Sequence, residues 1–117
     1  MGVTAADTAL HLRAQLEADR QRAAERAERL LSSAERARHL LIDTHGATRV
    51  WLFGSLVAGS PTVHSDVDLA VEGLASKVYF RALADLMALF HGPVDLVRLD
   101  EASDSLRERV FAEGVEL

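Results

Sequence analysis

The sequence of 117 residues contains no cysteine, only two prolines and a single lysine. Without cysteine the chain can form no disulfide framework, offers no thiol nucleophile and binds no zinc through thiolates. Its apolar runs, such as residues 50–53, are only a few residues long, so no segment is long enough to cross a bilayer. No basic stretch followed by an apolar core stands near the first residue, so we expect no secretory signal and a cytoplasmic location.

The net charge of −5 is unevenly distributed along the chain. Residues 1–45 carry equal numbers of arginines and acids, so the whole excess of negative charge lies in residues 46–117. Proteins that bind nucleic acid usually present a basic patch to the phosphate backbone. An acidic domain therefore argues against direct nucleic-acid binding, and it is compatible with divalent cations.

A long helix is predicted for residues 5–45, which contain neither glycine nor proline and are rich in alanine, leucine, arginine and glutamate. Gly46 is placed to end this helix in a left-handed conformation. One apolar stripe runs along it at spacings of three, four and seven residues: Leu16, Ala23, Ala27, Leu30, Ala34, Ala37 and Leu41. We expect the last part of this helix, roughly residues 30–45, to pack on the domain formed by the rest of the chain. Residues 1–34 are expected to form a helical extension that serves assembly with a second copy or a partner.

Residues 35–117 form the predicted domain, in which the hydrophobic period changes from helical to strand-like. The predicted fold is α/β (α+β), a small mixed β-sheet flanked by helices, with the N-terminal helical extension. Ser105 and Glu108 have the spacing of a capping box for the final helix. In the middle helix, Met87 is predicted to face the hydrophobic core. Strands are predicted for residues 49–53, 66–72 and 94–99, and the middle helix for residues 76–91.

The chemistry-bearing pattern is Gly54-Ser55 directly after the first strand, followed after ten residues by Asp66-Val67-Asp68 at the start of the second. Residues two apart on a strand project from the same face, so both carboxylates can converge on a hard cation such as Mg²⁺. Gly54 lets the backbone approach a phosphate, and Ser55 adds a hydroxyl and an N–H group. Asp95, on the third strand, supplies another carboxylate if the strands are neighbours.

Each half of this pattern is weak alone. An Asp-x-Asp motif usually marks a solvated strand end, and Gly-Ser is usually only a turn. The joint pattern is more specific, because it fixes two strands, a turn and the spacing between them. Moreover, Val-Asp-Leu triplets at 67–69 and 94–96 each place an acid within an apolar strand, where an unpaired carboxylate is costly.

Gly54-Ser55-x10-Asp66-x-Asp68 resembles the signature of the polymerase-β-like nucleotidyltransferase superfamily. The flanking Leu52-Phe53 and Leu69-Ala70-Val71 look like the minimal nucleotidyltransferases (MNT) of prokaryotes, and the similarity extends over about residues 35–117. The resemblance implies that Asp66, Asp68 and Asp95 are catalytic residues that bind Mg²⁺, two ions in the family, and that Gly54 and Ser55 bind the triphosphate of ATP.

Members of this family often act as antitoxins that transfer AMP from ATP to a tyrosine of a helical HEPN ribonuclease toxin. The resemblance therefore implies a protein adenylyltransferase with a HEPN-type partner. Many relatives carry arginine in the turn after Gly-Ser, where this sequence has Leu56-Val57-Ala58, so one cationic contact to the triphosphate is missing here. Two alternatives stay open: a module that neutralises its partner by contact alone, and a nucleotidyltransferase acting on a small molecule.

Four other residues have weaker claims to a role. His64 precedes the second motif and is more typical of an exposed loop, and Trp51 is predicted to lie in the core. Tyr79 is expected on a helix surface or in the core rather than as a modification acceptor. Arg38 and His45 match the Arg-x6-His spacing of HEPN nucleases, which we interpret as coincidence because both fall on one predicted helix.

Overall fold

The computed structural model of the chain describes residues 4–54, 57 and 67–117. These residues contain three main helices and four strands, and the predicted α/β class is confirmed. The helices are α1 (Ala5–His39), α2 (Tyr79–Phe90) and α3 (Asp104–Glu113). The strands are β1 (Arg49–Phe53), β2 (Val67–Glu72), β3 (Val94–Arg98) and β4 (Val115–Glu116).

The strands form one mixed sheet in the order β3-β2-β1-β4. Strand β1 is antiparallel to both β2 and β4, whereas β2 and β3 are parallel and are connected through α2. A helical connection of this kind is what two parallel neighbours require. The order makes β3 an edge strand, next to the central strand that carries the second motif.

Helices α1 and α2 cover one face of the sheet. Their buried side chains pack against the alternate residues of the strands that point to this side. Leu41 and Leu86 are fully buried there, and burying one such side chain contributes about 1.5–3 kcal/mol to stability. The strand residues on this face are Val50, Leu52, Val67, Leu69, Val71, Val94 and Leu96.

Helix α3 covers part of the other face, on which Trp51, Phe53 and Ala70 lie. Val110 of α3 and Leu99 complete this smaller cluster, and both are almost completely buried. The prediction that Trp51 belongs to the core is confirmed, since it is 4% exposed.

Helix α1 is much longer than the sheet that it covers. It begins with a capping box at Thr4, and its first buried residue is Ala23. Toward the N-terminus, Leu10, Leu12 and Leu16 are each more than half exposed. At about 1.5 Å per residue, the 35 residues of α1 account for most of the 66 Å length of the chain.

Several local predictions need correction. Met87 is 45% exposed, and Ala82 faces the core instead. Ser103, not Ser105, caps α3 by accepting a hydrogen bond from Leu106 N, so the predicted capping box is wrong.

The C-terminal end of the long helix and the C-terminal end of the domain also differ from the predicted secondary structure. The long helix changes to a π-helical turn at Leu40–Thr44 before Gly46, whose φ of +82° agrees with the prediction. Strand β4 was not predicted, because its two residues have no pattern of their own and are ordered only by pairing with β1.

Candidate nucleotidyl-transfer site

One end of the sheet brings together the described parts of the predicted site. Phe53, the last residue of β1, lies opposite Asp68 of β2, and Asp68 lies opposite Asp95 of β3. The three residues therefore form one row across three neighbouring strands. The condition on which Asp95 was included, that its strand be a neighbour of the Asp-x-Asp strand, is met.

The carboxylates of Asp68 and Asp95 leave the sheet on the face opposite α1 and α2. Val67 and Leu69, which flank Asp68, are buried under these helices, so the side chain between them points to the other side. Since neighbouring strands are about 4.8 Å apart, the two acids are close enough to act on one ligand. Asp68 is half-buried, whereas Asp95 is exposed between the buried Val94 and Leu96.

Gly54 places the end of β1 directly against Asp68. Its φ of +84° lies in the left-handed region, which residues with a side chain rarely adopt. A Cβ atom at this position would lie 2.9 Å from Cγ of Asp68, closer than non-bonded carbon atoms approach. The chain therefore needs glycine here for two reasons, the backbone conformation and the space that the carboxylate occupies.

The remaining motif residues, Ser55 and Asp66, lie outside the described residues, as does His64. In the turn where relatives carry arginine, Val57 is described: its N–H donates to the carbonyl oxygen of Gly54, and its side chain packs against the helix-side core. The roles of Gly54, Ser55, Asp66, Asp68 and Asp95 stay predictions.

The donor chemistry fits a hard divalent cation. Asp68 and Asp95 offer carboxylate oxygens, which Mg²⁺ prefers, and the contact with Gly54 limits where the Asp68 carboxylate can move. Within the described ranges, no group of three metal-ligating side chains is found. Asp68 and Asp95 are two of the three acids that the family resemblance implies, and the third, Asp66, lies outside the described residues.

An ion pair at the other end of β1 shifts the pKa values of both of its members. Arg49 donates two hydrogen bonds to Glu116 of β4, at 2.7 and 3.2 Å. This hydrogen-bonded contact lowers the pKa of Glu116 and raises the pKa of Arg49. The pair fastens β4 to β1 and takes no part in the row of Phe53, Asp68 and Asp95.

Two of the weaker candidates have structural partners. The hydroxyl of Tyr79 donates to the carbonyl oxygen of Leu96 at 2.7 Å, which ties α2 to the edge strand. His45 lies at the end of the π-helical turn, almost fully buried, with Nε2 2.8 Å from a carboxylate oxygen of Asp85 on α2. These contacts account for Tyr79 and His45 without a catalytic role.

Phe53 is a site neighbour to which no role was assigned from the sequence. It is 8% exposed and lies opposite Asp68, so its ring forms apolar surroundings beside the carboxylate. The alternation along β1 contains the signal, because Trp51 and Phe53 fall on one face and Val50 and Leu52 on the other.

Comparisons with known proteins identify the family of the chain. The family model described as polymerase beta, nucleotidyltransferase matches residues 35–117. No curated protein sequence matches the chain.

Three solved structures are similar over most of their length. One, described as a minimal nucleotidyltransferase, is 32% identical with a TM-score of 0.68, and the match covers 78% of this chain and 95% of that one. A toxin–antitoxin complex with AMP-PNP is 28% identical with a TM-score of 0.61, covering 70% of each chain. A complex of the tri-AMPylated HEPN toxin of Shewanella oneidensis with its MNT antitoxin is 25% identical with a TM-score of 0.55, covering 75% of this chain and 70% of that one.

The resemblance carried by Gly54, Asp68 and their flanking residues is thereby confirmed at the level of the family. The match to the family model spans more than half of the chain, and it includes every strand of the sheet. The chain belongs to the polymerase-β nucleotidyltransferase family and has the fold of its minimal members.

Proposed function

We propose that this nucleotidyltransferase transfers AMP from ATP to a hydroxyl group of a HEPN toxin, for which it acts as the antitoxin. The observation that carries the proposal is the arrangement at one end of the sheet, where Gly54 lies against Asp68 and Asp68 lies opposite Asp95. Among similar structures, one complex contains AMP-PNP and another contains an AMPylated HEPN toxin with its MNT antitoxin. A tyrosine is the expected acceptor.

Each motif residue has a distinct part in the proposed reaction. The backbone at Gly54-Ser55 approaches the triphosphate, and the N–H and hydroxyl groups of Ser55 donate hydrogen bonds to phosphate oxygens. Asp66, Asp68 and Asp95 would hold Mg²⁺. When bound, this cation neutralises negative charge on the phosphates and stabilises the leaving oxygen.

The proposed transfer step is an in-line displacement at the α-phosphorus of ATP. The acceptor oxygen forms a bond to the α-phosphorus while the bond from that phosphorus to the bridging oxygen of the β-phosphate breaks. Pyrophosphate leaves with the electron pair of the broken bond. Asp95 accepts the proton of the acceptor hydroxyl, and its exposure places it within reach of an incoming side chain.

The open position of Asp95 favours a macromolecular acceptor. Strand β3 is at the edge of the sheet, and the carboxylate of Asp95 is exposed beside it. A small-molecule substrate usually requires a concave pocket that buries most of its surface. An exposed carboxylate on an edge strand instead leaves room for a loop of a partner protein.

A rival function is supported by the projecting half of α1. Its exposed Leu10, Leu12 and Leu16 offer an apolar contact surface away from the candidate site, so partner neutralisation by contact alone remains the second candidate.

No helix within the described residues has both the length and the hydropathy needed to span a membrane.

Pyrophosphate release tests the proposed reaction. We expect release that requires ATP, Mg²⁺ and the HEPN toxin together, and that is lost in Asp95→Asn. Release without the toxin would indicate hydrolysis or another acceptor. No release with all three components present, in a sample that still binds the toxin, would favour the contact module.

A further inference from the structure

A basic cleft lies between α1 and the C-terminal end of α2. Its volume is about 400 Å³. Arg26, Arg29 and Arg36 line the side formed by α1, and His91 lines the end of α2. Leu30 and Phe90 form apolar surface in the same cleft, so we call these six residues the basic cleft.

The positive charge of the basic cleft is not balanced within the described part of the chain. No salt bridge there joins Arg26, Arg29 or Arg36 to a carboxylate, and neither aspartate nor glutamate lines the cleft. Three guanidinium groups in one depression are expected to attract a multivalent anion.

Arg26 gives a second indication of a ligand. Its Nε atom is buried and has no hydrogen-bond partner, although buried polar groups are nearly always hydrogen-bonded. The Met87 carbonyl oxygen at the end of α2 accepts from the N–H groups of His91 and Gly92, and no carbonyl oxygen of the described residues accepts from Arg26 Nε. An anion bound in the cleft would supply the missing acceptor.

The charge of the cleft favours phosphate over a single carboxylate. A phosphate group carries about −1.5 to −2 at neutral pH and presents several acceptor oxygens, whereas a carboxylate carries one charge. The hydroxyl groups of Ser32 and Ser33 both donate to the carbonyl oxygen of Arg29, so the guanidinium groups and His91 are the donors available to a ligand. We propose that the basic cleft binds a small polyphosphate, either free or as part of a nucleotide.

This site is separate from the candidate nucleotidyl-transfer site. Leu30 and Phe90 belong to the hydrophobic core on the face covered by α1 and α2, whereas Asp68 and Asp95 point to the opposite face. The proposal therefore stands on its own residues and does not depend on the transfer reaction.

Titration of the full-length, ¹⁵N-labelled protein with pyrophosphate in EDTA tests the proposal. Without a divalent cation, we expect saturable chemical-shift changes at the amides of Ser33 and His91. The double variant Arg29→Gln/Arg36→Gln should weaken binding at least tenfold, whereas the matched control Arg13→Gln/Arg20→Gln, on the exposed part of the same helix, should leave it unchanged. All four arginines are largely exposed, so neither double variant is expected to disturb the fold.

Three further ligands define the class. ATP in EDTA that binds more tightly than inorganic tripolyphosphate, which has the same number of phosphate groups, assigns the cleft to a nucleotide; equal or weaker binding of ATP assigns it to a free polyphosphate. Equal binding of a triglutamate peptide would overturn the preference for phosphate. The proposal also fails if shifts are confined to residues near Gly54 and Asp68, or if both double variants bind as the unmodified protein does.

Discussion

Asp68 and Asp95 occupy opposing register positions on the parallel strands β2 and β3, so both carboxylates leave the sheet on one face. Two carboxylates on neighbouring strands and on one face of a sheet are placed to bind one divalent cation together. This relationship is the structural basis of the proposed nucleotidyl transfer, and it leads directly to the first prediction.

Asp68→Asn is expected to abolish Mg²⁺-dependent ATP binding and, with it, detectable AMP transfer, because the cation loses one of its carboxylate ligands. Thermal stability should change little, because asparagine has nearly the same shape as aspartate and the side chain at this position is only half-buried. Calorimetry with ATP and Mg²⁺ measures the binding. Asp104→Asn, at the exposed start of α3, is the matched control and should bind as the unmodified protein does. Full ATP affinity in the Asp68 variant would contradict the assignment.

Alanine substitutions at three glycines distinguish the cost of backbone strain from the cost of a steric clash at the candidate site. Gly54→Ala forces a side chain into a left-handed position and into contact with Asp68, so we expect a stability loss of several kcal/mol and loss of activity. Gly46→Ala faces only strain, since φ is +82° but nothing lies within 4 Å, and should cost about 1–2 kcal/mol with activity retained. Gly92→Ala, with open space and no positive φ, should change neither.

Chemical denaturation and activity of the three glycine variants provide the check. If Gly54→Ala and Gly46→Ala lost stability and activity equally, the close approach of the Gly54 backbone to Asp68 would have no functional meaning.

The Arg49–Glu116 pair predicts a pH dependence of stability. Because the hydrogen bond from Arg49 lowers the pKa of Glu116 in the folded state, its contribution is present above the ordinary value of 4.5 and is lost as the pH falls through the lowered value. Both side chains are exposed, so the effect is small. Glu116→Gln should flatten the fall in melting temperature below pH 4.5. The control Glu108→Gln should not, because no salt bridge among the described residues involves Glu108. An unchanged profile in Glu116→Gln would show that the pair does not hold β4.

Much of the fold follows from local signals in the sequence. The change from helical to strand-like period after Gly46, and the glycines that end β1 and β2, locate the main elements. Strand β4 could not be found, because Val115 and Glu116 pair with β1 only once the sheet exists. The prediction for Met87 was wrong for a similar reason. Which side of α2 is buried depends on how α1 packs against it, and this packing is a property of the tertiary structure.

The candidate site was predictable in part. The spacing of Gly54 and Asp68 placed both at strand ends, but the register that brings Asp95 beside Asp68 depends on the strand order. The sequence contains part of the basic cleft, because the spacings of Arg26, Arg29 and Arg36 put them on one side of a helix. What the sequence could not supply is the end of α2, which closes the cleft from another element.

The projecting half of α1 predicts a role in assembly. Deleting residues 1–22 removes the exposed Leu10, Leu12 and Leu16 but spares Ala23 and the buried residues after it. We expect an unchanged melting temperature, intact ATP binding and a weakened complex with a second copy or the toxin, measured by size-exclusion chromatography with light scattering. Deleting residues 1–28 also removes the buried Ala23 and Ala27 and should lower stability. Identical assembly of full-length and truncated proteins would make the arm a passive extension.

Intact-mass spectrometry of the cognate HEPN toxin tests the central claim most directly. The toxin is incubated with ATP, Mg²⁺ and a substoichiometric amount of this protein, either unmodified or carrying Asp68→Asn. The account predicts that most toxin molecules gain one or more AMP units with the unmodified protein and none with the variant. A toxin that gains no mass, and is neutralised only at equimolar amounts and equally well by the variant, would contradict nucleotidyl transfer and establish neutralisation by contact.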